Sequence, residues 1–303
     1  MPTTEHAARV GRAPAVPDVP TAEFVHAAPA APLRRFVVSY SGYREAGGPP
    51  GRHRGLPSPF LILILTLGEP LVITAHPNPG VLPSQHDTLV GGLHTVPALI
   101  THQGRQSGVQ LALTPLGARA LLGLPAGELA GATLDAATVL GPVAHRLRER
   151  LLAARDWSER FAALDATLLA HLRGDAAVPG AVAHAWQRLL RSGGSVAVAQ
   201  LADEIGWSTR HLSQRFRAEF GLGPKQVARV VRFDRARRTL ARTVSAGSGP
   251  TLAAIAADCG YCDQAHLARE FHALAGCSPT RWLAEEFRNV QAIAAVAEAG
   301  LVP

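Results

Sequence analysis

The chain has 303 residues, enough for two domains with a sizeable core. Its formal net charge of +7 favours a polyanionic partner. Three cysteines, an odd number, argue against a disulfide framework and fit a reducing cytoplasm, and the longest apolar run, Phe60 to Leu67, is far short of the roughly 20 residues of a membrane span.

Residues 1–32 are rich in Pro and Ala, lack periodicity and show no basic-then-apolar signal pattern, so they are expected to be a disordered leader. From Leu33 the pattern changes. Phe36 to Tyr40 predicts a strand. Phe60 to Leu67, then Gly68-Glu69-Pro70, then Leu71 to Thr74, predicts a buried β-hairpin. Arg52-His53-Arg54 is expected in a solvated loop. Further strand-like pieces lie near Thr88–Gly91, Pro97–His102 and Val109–Thr114, and many short strands with Gly/Pro turns suggest a sandwich or barrel. His53, His76, His86, His94 and His102 are scattered through this part. No His-x-His pair occurs there, so surface or core roles are expected rather than metal binding.

Helical patterning begins at Pro115 and is interrupted at Gly123. Val143–Ala154 and Trp157–Leu172 predict a helical pair, whose Leu147, Leu151, Leu164 and Leu168 either cover the sheet or mate with a second chain. Arg146, Arg148 and Arg150 scatter around the first of these helices as a solvated face. Gly174 to Gly180 is the expected linker. Ala181 to Arg191 predicts a helix with Trp186, Leu189 and Leu190 inward.

The stretch from Ser195 to Phe287 contains one pattern twice. Leu212 and Leu267, Phe216 and Phe271, Gly221 and Gly276, and Pro224 and Pro279 each stand 55 positions apart. Gly206 and Gly260 stand 54 apart, so the second turn holds one extra residue. Each unit reads helix, glycine turn, helix. Ser208 suits an N-cap, and Leu212, Phe216 and Phe220 then form an apolar stripe. Arg210, Gln214 and Arg217 fall on the opposite face, with Ser213 beside them. In the second unit Asp263 can cap, Leu267 and Phe271 face inward, and Ala265, Arg269 and His272 face out, with Gln264 and His266 on the first turn. Such polar, basic faces suit the reading of base edges in a major groove. Between the units, Pro224 to Arg242 predicts a basic helix spanning roughly 28 Å at 1.5 Å per residue.

Residues 195–287 resemble the AraC/XylS-type DNA-binding region. The residues that carry the resemblance are Leu201-Ala202, Gly206-x-Ser208, His211-Leu212, Arg215-Phe216, Gly221, Pro224, Arg235-Ala236, Ile255-Ala256, Gly260-Tyr261, Leu267-Ala268-Arg269-x-Phe271 and Gly276-x-Ser278-Pro279. Cys262 departs from the family pattern, which often has a small or charged residue there. The earlier part, through Leu56-Pro57, the Phe60–Leu67 run, Gly91-Gly92, Leu111 to Gly117 and Trp157–Leu172, resembles a β-rich domain found ahead of AraC-type regions in some regulators. In the wider family such domains are cupin-like and bind effectors or mediate dimerisation, a fold-level analogy that names no ligand.

The resemblance implies an α+β chain. A leader at 1–32 precedes a β-rich (cupin-like or sandwich) effector or dimerisation domain at 33–178 that ends in its helical pair. An all-α double helix-turn-helix domain follows at 179–290, and a tail at 291–303. It implies a cytoplasmic, sequence-specific regulator of transcription that binds double-stranded DNA, needs no cofactor or metal, and does not meet a membrane. A small-molecule effector, RNA polymerase and a second copy of the chain are further partners that such a regulator admits. Carried over residue by residue, base contacts fall to Arg210, Ser213, Gln214, Gln264, Ala265, His266 and Arg269, and phosphate contacts to Thr209, Arg217, Arg232, Ser278 and Arg281.

Cys259-Gly-Tyr-Cys262, with His266 and Cys277 nearby, has thiol-metal spacing, but Cys259 aligns with Ile205 and Cys277 with Leu222. Buried small hydrophobes are therefore expected. A small-molecule enzyme in the β-rich domain is the alternative function, yet no nucleophile elbow, phosphate loop or metal motif appears, so no catalytic residue is expected. A methyl-accepting repair protein would need a reactive thiol ahead of the region, and no cysteine precedes Cys259.

Overall fold

A computed structural model describes residues 20–173, 178–247 and 251–286. The β-rich part forms two antiparallel sheets. The larger runs in the order β1 (Thr21–Ala27), β2 (Val37–Ala46), β9 (Gln106–Leu113), β4 (Leu61–Thr66), β7 (Thr88–Gly91) and β10 (Thr133–Asp135). The smaller runs β3 (Gly51–Gly55), β8 (Ala98–His102), β5 (Leu71–Ala75) and β6 (Ser84–His86).

The central strand β4 explains the continuous apolar run. Successive side chains alternate between faces. Leu61, Leu63 and Leu65 join the core of Val109, Leu111 and Leu113 with the helices that cover the sheet. Ile62 and Ile64 point the other way, onto Leu71, Ile73, Ala98 and Ile100 of the smaller sheet. A strand buried on both faces has no polar positions to alternate.

The helical segments after β9 are short at first. α1 (Pro115–Gly117) continues into a wider turn at Ala118–Leu122, which Gly123 closes at φ +79°. α2 (Ala137–Leu140) follows, then the pair α3 (Pro142–Ala153) and α4 (Trp157–His171). Asp156 caps α4 by accepting from the Glu159 N–H at 2.8 Å.

Three expectations fail in the structure, and one open alternative is decided. Residues 21–27, assigned to the leader, form β1 and pair along β2. The two apolar runs at 60–67 and 71–74 do not make a hairpin. Both edges of β4 are taken by β7 and β9, so β5 must join the other sheet, between β8 and β6. Arg52-His53-Arg54 is not a loop but β3, an edge strand paired with β8. Leu147, Leu151, Leu164 and Leu168 are buried against the sheet and cannot mate between chains; the exposed leucines of the pair are Leu152 (46%) and Leu169 (39%). The remainder of the leader at 1–19, the linker at 174–177 and the tail at 291–303 lie outside the described residues.

Among the described residues seven helices follow: α5 (Gly180–Arg191), α6 (Val198–Glu204), α7 (Thr209–Phe220), α8 (Pro224–Ser245), α9 (Leu252–Asp258), α10 (Gln264–Ala275) and α11 (Pro279–Glu285). Their cores divide unevenly. Trp186, Leu201, Leu212, Phe216 and Phe220 of the first unit belong to the same apolar cluster as the β sheet and α3–α4. The second unit has its own cluster, built on Phe233, Leu240, Ile255, Leu267, Phe271 and Trp282. Helix α8 bridges them, with Val227, Ala228 and Val231 in the first and Val230, Phe233 and Ala236 in the second.

His53 on β3 gives the β-rich part a pH dependence. Burial, then the neighbouring His102 ring at 6.2 Å, pushes its imidazole down to about 4 from the ordinary 6.5. Its Nδ1 is buried with no hydrogen-bond partner. The unfolded chain therefore binds more protons than the folded one between pH 6.5 and pH 4. Stability is fully present above 6.5 and falls as the pH drops through that window. The contribution lost between pH 7 and pH 5 is about 2 kcal/mol. Denaturant titrations at the two pH values should show this fall, and His53→Asn should shrink the difference; a difference of the same size in the variant assigns the effect elsewhere.

Candidate nucleic-acid interface

Each repeat closes its turn in the same way. Gly206 and Gly260 take φ values of +70° and +77°, a region that side chains disfavour. The next residue folds back: the Trp207 N–H donates to the Ala202 carbonyl and the Tyr261 N–H to the Ala256 carbonyl, both at 2.9 Å. Each aromatic then meets a histidine of the following helix edge-on, Trp207 with His211 at 4.6 Å and Tyr261 with His266 at 5.3 Å.

The extra residue of the second turn is Cys262. Ser208 caps α7 directly after Trp207, accepting from the His211 N–H at 3.2 Å. Asp263 caps α10 only after Cys262, accepting from the His266 N–H at 2.6 Å. Cys262 is exposed, and its N–H donates to His266 Nδ1 at 3.4 Å. Cys259 and Cys277 are buried, and burial pushes both thiols up.

The inward faces of α7 and α10 fall where the apolar stripes place them. Phe216 and Phe220 pack on Trp186 of α5, and Phe271 packs between Phe233 of α8 and Trp282 of α11. Outward, Thr209, Arg210, Gln214 and Arg217 are exposed on α7, with Ser213 half-buried beside them. On α10, Gln264, Ala265 and Arg269 are exposed and His266 is half-buried against Tyr261.

The residues expected near phosphates are more varied. Ser278 is exposed and caps α11, accepting from the Arg281 N–H at 3.3 Å. Arg281 is exposed but donates to Glu285 at 2.6 Å. Arg232 is half-buried, with its guanidinium 5.9 Å from the centre of the Tyr261 ring.

The ion pairs of these helices were not legible from the helix pattern. Each of α7, α8 and α10 carries a single acid: Glu219, Asp234 and Glu270. None of the three lies on the outward faces. Arg119, in the turn after α1, donates to both Glu219 oxygens at 2.7 and 2.8 Å. Arg237 and Arg238 both pair with buried Asp234. Arg229 of α8 donates to both Glu270 oxygens at 2.8 and 2.9 Å. Burial would raise the Glu270 carboxyl, but the Arg229 hydrogen bonds and charge outweigh it and hold the group below the usual range. Helix α8 was expected to be basic and carries seven basic residues; these pairs occupy Arg229, Arg237 and Arg238 and leave Lys225, Arg235 and Arg242 exposed. The one signal available in sequence was a lone acid on each otherwise basic helix.

Among the described residues, no group of three or more His, Cys, Asp and Glu side chains could hold a metal ion. No helix among them is long and apolar enough to cross a membrane.

Comparison with known proteins matches two separate stretches of the chain. Residues 201–285 match the family described as a helix-turn-helix domain, and residues 25–135 match a domain of unknown function. The chain is 33% identical over 104 residues to the HTH-type transcriptional regulator Rv1931c of Mycobacterium tuberculosis, an alignment covering 34% of this chain and 37% of that one. It thus spans little more than a third of that relative's length. Among solved structures, apo ToxT of Vibrio cholerae superposes with a TM-score of 0.50 at 8% identity, over 88% of this chain and 97% of that one. That likeness covers both the β-rich and the helical parts and concerns the fold. The AraC-like transcriptional activator CuxR also matches, with a TM-score of 0.28 at 16% identity, over 74% of this chain and 88% of that one.

The caps can be checked by stability. Asp263→Ala leaves first-turn N–H groups of α10 without their acceptor and should cost about 0.5–2 kcal/mol. Thermal melts of the full chain measure it. Asp263→Asn, which keeps an acceptor oxygen, should recover most of the loss.

Proposed function

We infer, for a chain whose residues 201–285 are a helix-turn-helix domain of the AraC type, a sequence-specific DNA-binding regulator of transcription. The observation that carries this reading is the pair of outward helix faces that are polar and basic, with every acid of α7, α8 and α10 drawn into an arginine pair. Helix α8 has 22 residues, about 33 Å at 1.5 Å per residue. Successive major-groove faces on one side of a duplex lie about 34 Å apart. One chain can thereby address two adjacent groove segments.

In this reading Arg210, Ser213 and Gln214 meet bases in one segment, and Gln264, Ala265, His266 and Arg269 in the other. Arg210 can donate its fork to guanine O6 and N7, Gln214 can pair with adenine, and the Ala265 methyl suits a thymine methyl. Phosphates fall to Thr209, Arg217, Arg232, Ser278 and Arg281. Arg232 reaches the backbone only by leaving the Tyr261 ring, and Arg281 only by exchanging Glu285 for a phosphate.

The β-rich part is assigned a sensing rather than a catalytic role. A cavity of about 270 Å³ opens between the two sheets, lined by Tyr43, Gln85, Thr101, His102 and Gln106, with the Glu69–Arg105 ion pair beside them. Pro70, Leu71 and Val72 complete the lining, and this mixture of polar and apolar groups suits a small effector that carries both.

DNA selected from a random pool by the full chain would give the operator, and variants then separate the roles. Arg210→Ala should cost about 1–3 kcal/mol and relax the preference at one position. Equal weakening on every sequence would move Arg210 to the phosphates. Arg281→Ala should weaken all sequences alike and lower the slope of log affinity against log salt by about one. An unchanged slope would take that side chain off the DNA.

A further inference from the structure

The two helix-turn-helix units are alike in sequence but are not held alike. The first shares a continuous core with the β sheet. Its helix α7 is also fastened by Arg119 on Glu219, and Gly127 lies so close to the end of α7 that a Cβ there would stand 2.7 Å from the Ala218 carbonyl. The second unit has a separate core and hangs from α8. Away from α8, contacts among the described residues tie it to the smaller sheet. Leu56, just beyond β3, packs on its cluster, and Pro97, just before β8, lies against Gly276 at the end of α10. Arg54 of β3 inserts between the last two glutamates of the second unit. It pairs with Glu285 at 2.7 Å and Glu286 at 3.3 Å, and its backbone N–H donates to Glu286 Oε1 at 2.7 Å. The Arg54 side chain is 7% exposed and that of Glu286 3%.

We propose that Arg54 is a positioning residue for DNA reading: the edge of the smaller sheet acts as a bracket that fixes where the second reading helix stands relative to the first, and so sets the spacing between the two segments the chain recognises. The proposal rests on the DNA-reading function inferred above. Its physical basis is the cost of the alternative. A single helix joined to two separately packed units is a poor rigid spacer, because bending about it breaks no core contact within either unit. The bracket removes that freedom. Charge placement makes it specific: the guanidinium sits against the Glu286 carboxylate, whose side chain is 3% exposed, and shares the more exposed Glu285 with Arg281. Without it, the ion pairs that join β3 to α11 are lost, and the second unit is free to swing away from β3. The reading faces stay open in the bracketed state, since Arg210, Gln214, Gln264 and Arg269 are all exposed in it. The bracket therefore orients the reading helices and does not cover them.

The native chain supplies a probe for this. Cys262 is an exposed thiol in the second unit, while Cys259 and Cys277 are buried. A second label site, Asp203→Cys at an exposed position of α6 in the first unit, allows spin labels to report the distance between the units in the full chain without DNA. We expect one narrow distance distribution for the parent, a broad one for Arg54→Ala, and an intermediate one for Arg54→Lys. Glu286→Gln keeps the shape and removes one charge, so it serves where Arg54→Ala fails to fold, and it should broaden the distribution as well. Unbroadened distributions in folded Arg54→Ala or Glu286→Gln would overturn the bracket. The second arm uses duplexes carrying the selected site and the same site with one base pair inserted between its two segments. The insertion should weaken the parent at least tenfold more than it weakens Arg54→Ala. Equal losses would overturn the link to spacing. Failure of the parent to select any sequence would instead overturn the DNA-reading function, and the label distances would still judge the bracket.

Discussion

A surface that takes up a polyanion must keep its own carboxylates off that surface. Three helices of this chain meet the constraint by the same device, and much of the arrangement follows from it. Glu219, Asp234 and Glu270 are the single acids of α7, α8 and α10, and each is turned away from the outward faces into an arginine pair. Arginine suits the task because its planar fork takes both oxygens of a carboxylate and stays charged when partly buried. The pairs have a second effect. Arg229 ties α10 to α8, and Arg119 ties α7 to the β-rich part, so the groups that clear the surface of negative charge also fix the helices that present it.

The reading helices were legible because their signals are local. A period of 55, a glycine before each capping residue, and apolar residues at i and i+4 specify turn, start and buried face within a dozen positions. The outward residues follow by subtraction, and Arg210, Gln214, Gln264, Ala265 and Arg269 are exposed accordingly. Half-burial of His266 was not legible, since it depends on Tyr261 turning back across the second, longer turn. The ion pairs were hidden for a different reason. Arg119 and Glu219 are 100 positions apart and Arg54 and Glu286 are 232 apart, and no pattern within either segment names its partner.

The strands show the same limit. β4 declares its burial through an unbroken apolar run, but not which strands flank it. The short connection to β5 suggested a hairpin, and the competition for the edges of β4 went instead to β7 and β9, strands supplied from farther along the chain. β1 and β3 were missed because neither has a buried apolar face to advertise. β1 is half-buried at most, and β3 carries Arg-His-Arg on an edge where charged side chains also discourage pairing with other molecules.

The division of cores bears on where the domain boundary lies. Composition places it at the Gly- and Ala-rich stretch before α5, and the family match begins shortly after. Packing places it elsewhere. The apolar cluster of the β sheet continues without a break through α5, α6 and α7, and changes only along α8, where Val227, Ala228 and Val231 face the first cluster and Val230, Phe233 and Ala236 the second. Segments that share a core tend to unfold together, and segments joined by one helix and a few polar contacts can open separately. By that criterion the first helix-turn-helix unit belongs with the β-rich part, and the second is the separable piece. Its core is also lighter at matched positions, with Cys259 and Cys277 where the first unit has Ile205 and Leu222. A smaller apolar payload gives a lower local stability. Two units that began as one sequence pattern have thus become a fixed reader built into the body of the protein and a second reader whose place depends on α8 and on the strand edge it leans against.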